Sequence, residues 1–209
     1  MKKILAGIMI VVLTGTLTVG CTEVPLIKGE LPEKESNFRL LVSDEAIAIG
    51  EFSSLNVTIT KIGLNQAGDS GGWIYLDMDP ETVDLTLLIG DNATEVFEGR
   101  VASGNYTKVV LYTENVTGVL LDGTSVNITL PSEKLQISKT FTLSDDMTVN
   151  FVFDIAVVKA GKSGKYILKP QIAESGPNQK YIDITPKGKT EKYQEKHQEK
   201  RKDKHGKTD

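Results

Sequence analysis

Along residues 54–79 apolar and polar side chains alternate with a period of two. Asn56, Thr58 and Thr60 fall on one face of an extended chain, while Val57 and Ile59 fall on the other, the pattern of a half-buried strand. A cluster of Asn, Gly, Asp and Ser at residues 65–72 interrupts it, and the run Trp73-Ile74-Tyr75-Leu76 follows. Such a cluster supplies turn conformations and breaks helices, so the stretch predicts a β-hairpin around which the remaining strands are laid.

The same reading continues along the chain. Residues 38–43 predict a first strand, and residues 46–50 are ambiguous between a helical turn and a short strand. Strands are predicted at 83–89, 106–113, 134–143, 147–155 and 165–172, with a short segment at 94–100. Residues 116–121 and 125–130 flank Asp122-Gly123, the turn signal of a further hairpin. About nine or ten strands at short spacing, with almost no helical period, indicate an all-β chain, an antiparallel sandwich or barrel, of which the sandwich is preferred.

The ends differ from this body. Met1-Lys2-Lys3 is a positive start, followed by an apolar run to Leu13 and a lighter segment ending at Gly20-Cys21, the layout of an export signal. Gly20 before the chain's one cysteine, with Leu17 and Val19 upstream, resembles the lipobox of exported lipoproteins, although Thr18 holds the position where Leu is usual. The resemblance implies that Cys21 carries a lipid and becomes the mature N-terminus; a plain signal peptide with an incidental cysteine is the alternative. Residues 21–37 mix Pro, Gly and charge without a period. They read as a linker with a reach of about 50 Å at roughly 3.3 Å per residue. The organisation expected is therefore a signal peptide at 1–20, a linker at 21–37, a β domain at 38–173 and a charged, disordered tail at 174–209.

Charge and composition narrow the function. Residues 21–186 carry 13 basic against 23 acidic side chains, a net of −10, and residues 187–209 carry nine against five, a net of +4. An acidic body argues against nucleic acid, whose binding rests on phosphate neutralisation. Both histidines, His197 and His205, lie in the tail, so the body offers neither a Ser-His-Asp triad nor histidine-ligated zinc. One cysteine forms no internal disulfide and no cysteine metal cluster.

Several pieces, taken in order, carry a family resemblance: Asn56-Val57-Thr58-Ile59-Thr60-Lys61, Gly72-Trp73, Val83-Asp84-Leu85, residues 104–111, Asp122-Gly123, Asp154, and Gly164-Lys165-Tyr166-Ile167-Leu168-Lys169-Pro170. Over roughly residues 37–173 the chain resembles the exported domains of unknown function numbered 4382. That likeness implies a transthyretin-like or immunoglobulin-like sandwich on bacterial or archaeal surfaces, and brings no activity and no catalytic residue.

Candidate chemistry is sparse. Asn56, Asn92, Asn105, Asn115 and Asn127 each begin an Asn-X-Ser/Thr sequon and are candidate glycosylation sites. The acidic pairs Asp77/Asp79 and Asp145/Asp146 lack the spacing of a calcium loop. Gly161-Lys162-Ser163 ends like a phosphate-binding loop, but Ala156 stands where its leading glycine belongs. Trp73, Tyr75, Tyr106 and Tyr112 offer either a stacking surface for sugars or, as strand aromatics usually do, core packing. The near-repeat from Glu191 reads as a solubilising end or as an electrostatic tether to anionic surfaces. The expectation is a non-enzymatic domain without cofactor or metal. A lipid on Cys21 would hold it on the outer face of the cell membrane, where it binds or associates with an envelope protein or surface glycan. A carbohydrate- or calcium-dependent adhesion module is the alternative, and a hydrolase using carboxylates alone is a distant third.

Overall fold

The computed structural model describes residues 36–69, 71–161 and 164–186. Twelve strands cover most of them: β1 (Phe38–Asp44), β2 (Phe52–Gln66), β3 (Trp73–Leu76), β4 (Glu81–Asp84), β5 (Asn92–Gly99), β6 (Gly104–Leu120), β7 (Ser125–Thr129), β8 (Lys134–Leu143), β9 (Val149–Ala160), β10 (Lys165–Pro170), β11 (Gly176–Pro177) and β12 (Ile182–Asp183). Helix among the described residues is confined to two 3-10 turns, Ile49–Glu51 and Leu85–Leu87. The second cuts short the strand expected at 83–89, because the Asp84 carboxylate accepts from the Thr86 backbone N–H at 3.0 Å and caps a turn there.

The strands form one mixed sheet in the order β12-β5-β1-β9-β10-β7-β6-β2-β3, with β4 also on β2, β8 on β6 and β11 on β9. The expectation of an antiparallel arrangement is corrected in three places, since β1–β9, β10–β7 and β12–β5 are parallel pairs. A hairpin between neighbours in sequence is necessarily antiparallel, whereas a parallel pair needs a long connection with no local turn signature. Phe38 opposite Val149 is such a pair.

The centre of the sheet is the ladder between β2 and β6, 15 and 17 residues long. The break expected between residues 113 and 116 does not occur; β6 runs through it with Asn115 in the left-handed region at φ 49°, a conformation Asn tolerates. Bulges interrupt the ladder, and one of them decides the faces of β2. Ile59 pairs with Thr113 and Lys61 with Tyr112, so Thr60 is an extra residue and the alternation changes phase there. Before it Leu55, Val57 and Ile59 are buried; after it Ile62 and Leu64 are buried, and Lys61 turns outward.

Strands far apart in the strand order contribute to one apolar cluster. Phe141 of β8 meets Phe38 of β1 at 5.8 Å, Phe151 of β9 at 5.1 Å and Tyr106 of β6 at 5.4 Å between ring centroids. Tyr106 is fully buried and its hydroxyl donates to the Ala102 carbonyl at 2.6 Å, which satisfies the polar tip that burial would otherwise penalise.

Residues 174–186, placed in the tail by the sequence, add β11 and β12 to the sheet. Side chains hold them. Ser175 accepts from the Asp154 N–H at 2.8 Å and donates to the Gln171 carbonyl. Arg39 bridges Glu95 at 2.6 Å and Asp183 at 2.7 Å, and the Thr185 hydroxyl accepts from the Glu95 N–H. Two-residue strands have no readable period, so these contacts left no signal in the hydropathy pattern.

Two buried acids stand out. Asp44 is fully buried with neither carboxylate oxygen hydrogen-bonded, and burial, then the charges of Asp154 and Glu45, push it up to about 8. Burial pushes Asp154 up to about 6, although Ser43 Oγ donates to it at 2.5 Å and opposes the shift. Ser43 and Asp154 are register partners, as are Asp44 and Ile155, so strand alternation puts the two acids on opposite faces. With folded-state values above the usual aspartate range, the folded chain binds these protons more tightly than the unfolded chain. Their stabilising effect is complete at acid pH and is lost as pH rises from about 4 through about 8. Urea unfolding from about pH 5 to about pH 9 should show falling stability, with a shallower fall in Asp44→Asn; parallel profiles would contradict the assignment.

Candidate functional site

The β2–β3 hairpin presents the aromatic residues. Its turn closes through Gln66 N–H to the Gly72 carbonyl at 2.8 Å, with Gly68 at φ 109°. Pairing then sets Asn65 opposite Trp73 and Gly63 opposite Tyr75. Gly63 lies on the outward face that the Thr60 bulge created. A Cβ at this position would lie 3.4 Å from the Tyr75 ring and 3.5 Å from the Trp73 ring, so both rings close over the bare backbone. They are near parallel, at 14°, with centroids 6.4 Å apart.

Trp73 is 42% exposed and Tyr75 52%, which separates them from the core aromatics. Tyr106 packs inside as strand aromatics usually do, and Tyr112 is half-buried beside Tyr75 at 6.2 Å. Lys61 Nζ lies 5.7 Å from the Tyr75 centroid and 5.5 Å from that of Tyr112, within cation–π range. The hydrogen bond with Tyr112 raises the Tyr75 phenol above its ordinary value, burial adds to this, and Lys61 and Lys134 oppose it.

Flat exposed rings meet the polarised C–H hydrogens of a sugar face well, because the aromatic face carries the negative end of the ring quadrupole. Hydroxyl and ammonium groups at the rim supply the directional contacts. What the sequence left open between core and stacking surface thus divides by residue, Tyr106 to the core and Trp73 with Tyr75 to the surface. Lys61 and Lys134 were not singled out by the sequence. Their place beside the rings depends on the β2–β6–β8 register; the spacing of Ile59 and Ile62, three residues apart in a strand, is the signal that marks the bulge.

The other sequence candidates do not converge on this face as a site. Cys21 and the tail from residue 187 lie outside the described residues, as do Lys162 and Ser163 of the loop that imitates a phosphate cradle. Asn105, Asn115 and Asn127 are exposed, on β6, β6 and β7; Asn56 and Asn92 are half-buried, and the Asn92 amide donates to the Leu87 carbonyl at 3.3 Å. Asp77, Asp79, Asp145 and Asp146 are exposed, with Asp145 bridging Arg100 at 3.0 Å. Among the described residues no three acidic, His or Cys side chains converge as metal ligands, and no helix is long and apolar enough to cross a membrane.

The Gly63 cradle gives a direct test. Gly63→Ala places its Cβ at ordinary contact distance from both rings and should leave the tryptophan emission maximum unchanged. Gly63→Leu should lift the rings and shift emission to the red; an unshifted Leu variant would contradict the packing.

The profile of the family described as Domain of unknown function (DUF4382) matches residues 35–170. No curated protein and no solved structure matches the chain.

Proposed function

The chain belongs to the family described as Domain of unknown function (DUF4382), and we propose that it is a lipid-anchored surface protein whose β domain is a non-enzymatic glycan-binding module. The observation that carries this reading is the exposed Trp73–Tyr75 pair lying over Gly63. Two exposed aromatic side chains held parallel on a strand expose apolar area to water, a cost that a stacking ligand removes.

In this reading the sheet closes on itself as a sandwich. Phe141 reaching Phe38 and Phe151, which belong to strands it does not pair with, supports that closure. The lipid is taken to sit on Cys21, with the linker entering the fold at Asn37. That residue is buried and exchanges two 2.8 Å hydrogen bonds with the Val101 backbone, a rigid start for a tethered domain. Placing Asp44 and Asp154 on opposite faces removes the most perturbed carboxylates from any shared catalytic step, which supports binding over hydrolysis. The exposed ring pair favours the glycan form of an adhesion module over the calcium-dependent one.

Trp73 is the chain's single tryptophan, so emission excited selectively at tryptophan reports on this face alone. Envelope polysaccharide fractions should quench and blue-shift the emission of the purified full chain. Stacking on one aromatic side chain is worth on the order of 1–3 kcal/mol where nucleobases are the ligand, so Tyr75→Ala should weaken the response about tenfold. Emission indifferent to every fraction would refute glycan binding. For the anchor, the native chain should have a mass above that of the bare polypeptide starting at Cys21; an unmodified mass starting at Met1 or beyond Cys21 would refute lipidation.

A further inference from the structure

The ring platform is set among cations. On β2 the outward residues after the bulge are Lys61, Gly63 and Asn65; opposite them on β6 stand Tyr112, Val110 and Lys108, and opposite those on β8 stand Lys134, Gln136 and Ser138. The outer face therefore has a row Lys61–Tyr112–Lys134 and a row Asn65–Lys108–Ser138, with Trp73 opposite Asn65 and Tyr75 opposite Gly63. Lys61 and Lys134 are exposed and Lys108 is half-buried. Among the described residues none of the three lysines has an ion-pair partner.

This is the reverse of the body's overall charge, a net of −10 over residues 21–186. Three lysines beside two exposed rings, on a domain otherwise acidic, make a local anion site whose other requirement is a flat apolar surface. We infer that this face takes an acidic polysaccharide, with Trp73 and Tyr75 stacking on its pyranose rings and Lys61 and Lys134 pairing with its carboxylates. The inference rests on the stacking reading given above and adds the chemical class of the ligand. An acidic polysaccharide fits better than nucleic acid, whose closely spaced phosphates would meet the repulsion of the acidic body along their whole length. Carboxylates separated by uncharged stretches of sugar ring match a few lysines spaced around a ring platform.

The test is a tryptophan-emission titration of the full chain with polygalacturonate and with its methyl-esterified form, at low and high salt. Polygalacturonate should bind about tenfold or more tightly, and salt should erode that preference because the charges are exposed. The double variant Lys61→Gln/Lys134→Gln should lose the preference while still binding the ester, which also shows that it is folded. Equal affinity for the two polymers, or a double variant that keeps the preference, overturns the ligand class and leaves stacking intact. No response to either polymer overturns the ligand class, and silence toward the envelope fractions as well removes the stacking reading. A response to phosphatidylglycerol vesicles with none to polygalacturonate overturns the inference and assigns the face to lipid.

Discussion

One extra residue in a long ladder sets the character of this domain. β2 and β6 pair along almost their whole length, and the bulge at Thr60 switches which residues of β2 face inward. Leu55, Val57 and Ile59 enter the core on one phase, Ile62 and Leu64 on the other. Without the switch, strand alternation would send Lys61 and Gly63 inward and leave Ile62 and Leu64 in water. The bulge thus satisfies the core and, by the same step, lays a glycine and a lysine on the outer face where the two rings of β3 close over them. Core formation and platform formation are one event in this fold.

The ladder was only half legible in the sequence. A period-two run located β2, apolar and β-branched runs located β1, β6 and β8, and Asp122-Gly123 marked a hairpin turn, where the Asp122 carboxylate caps the Thr124 N–H at 2.8 Å and Gly123 takes φ 86°. These are local signals, carried by neighbouring residues. Parallel pairing of β1 with β9 joins residues more than a hundred positions apart and leaves no mark in a short window. The strands at 176–177 and 182–183 were hidden for another reason, since Arg39, Asp154 and Glu95 hold that segment by side-chain and backbone hydrogen bonds rather than by apolar burial. The candidate face fell between the two cases. Trp73 and Tyr75 were visible as residues, but exposure and the nearness of Lys61 and Lys134 are products of register.

Charge is distributed to the same end. Acidic residues dominate the body, and the two most perturbed, Asp44 and Asp154, are buried on opposite faces of β1 and β9, where they lower stability at neutral pH and the charge of Asp154 adds to the burial that raises Asp44. Lysines gather on the outer face of β2, β6 and β8. Among the described residues the acidic body thus carries a cationic, ring-bearing face on these strands, where the local field favours an anion. The five sequons lie on β2, β5, β6 and β7 and not on the ring-bearing β3.

Saturation-transfer difference NMR tests the central claim most directly, with acidic oligosaccharides added to the full chain and the aromatic resonances of Trp73 and Tyr75 irradiated. A stacked sugar should show strong transfer to the C–H protons on one face of its ring and weak transfer to the other face. Absent transfer, or transfer spread evenly over the sugar, would contradict a stacking platform at Trp73 and Tyr75.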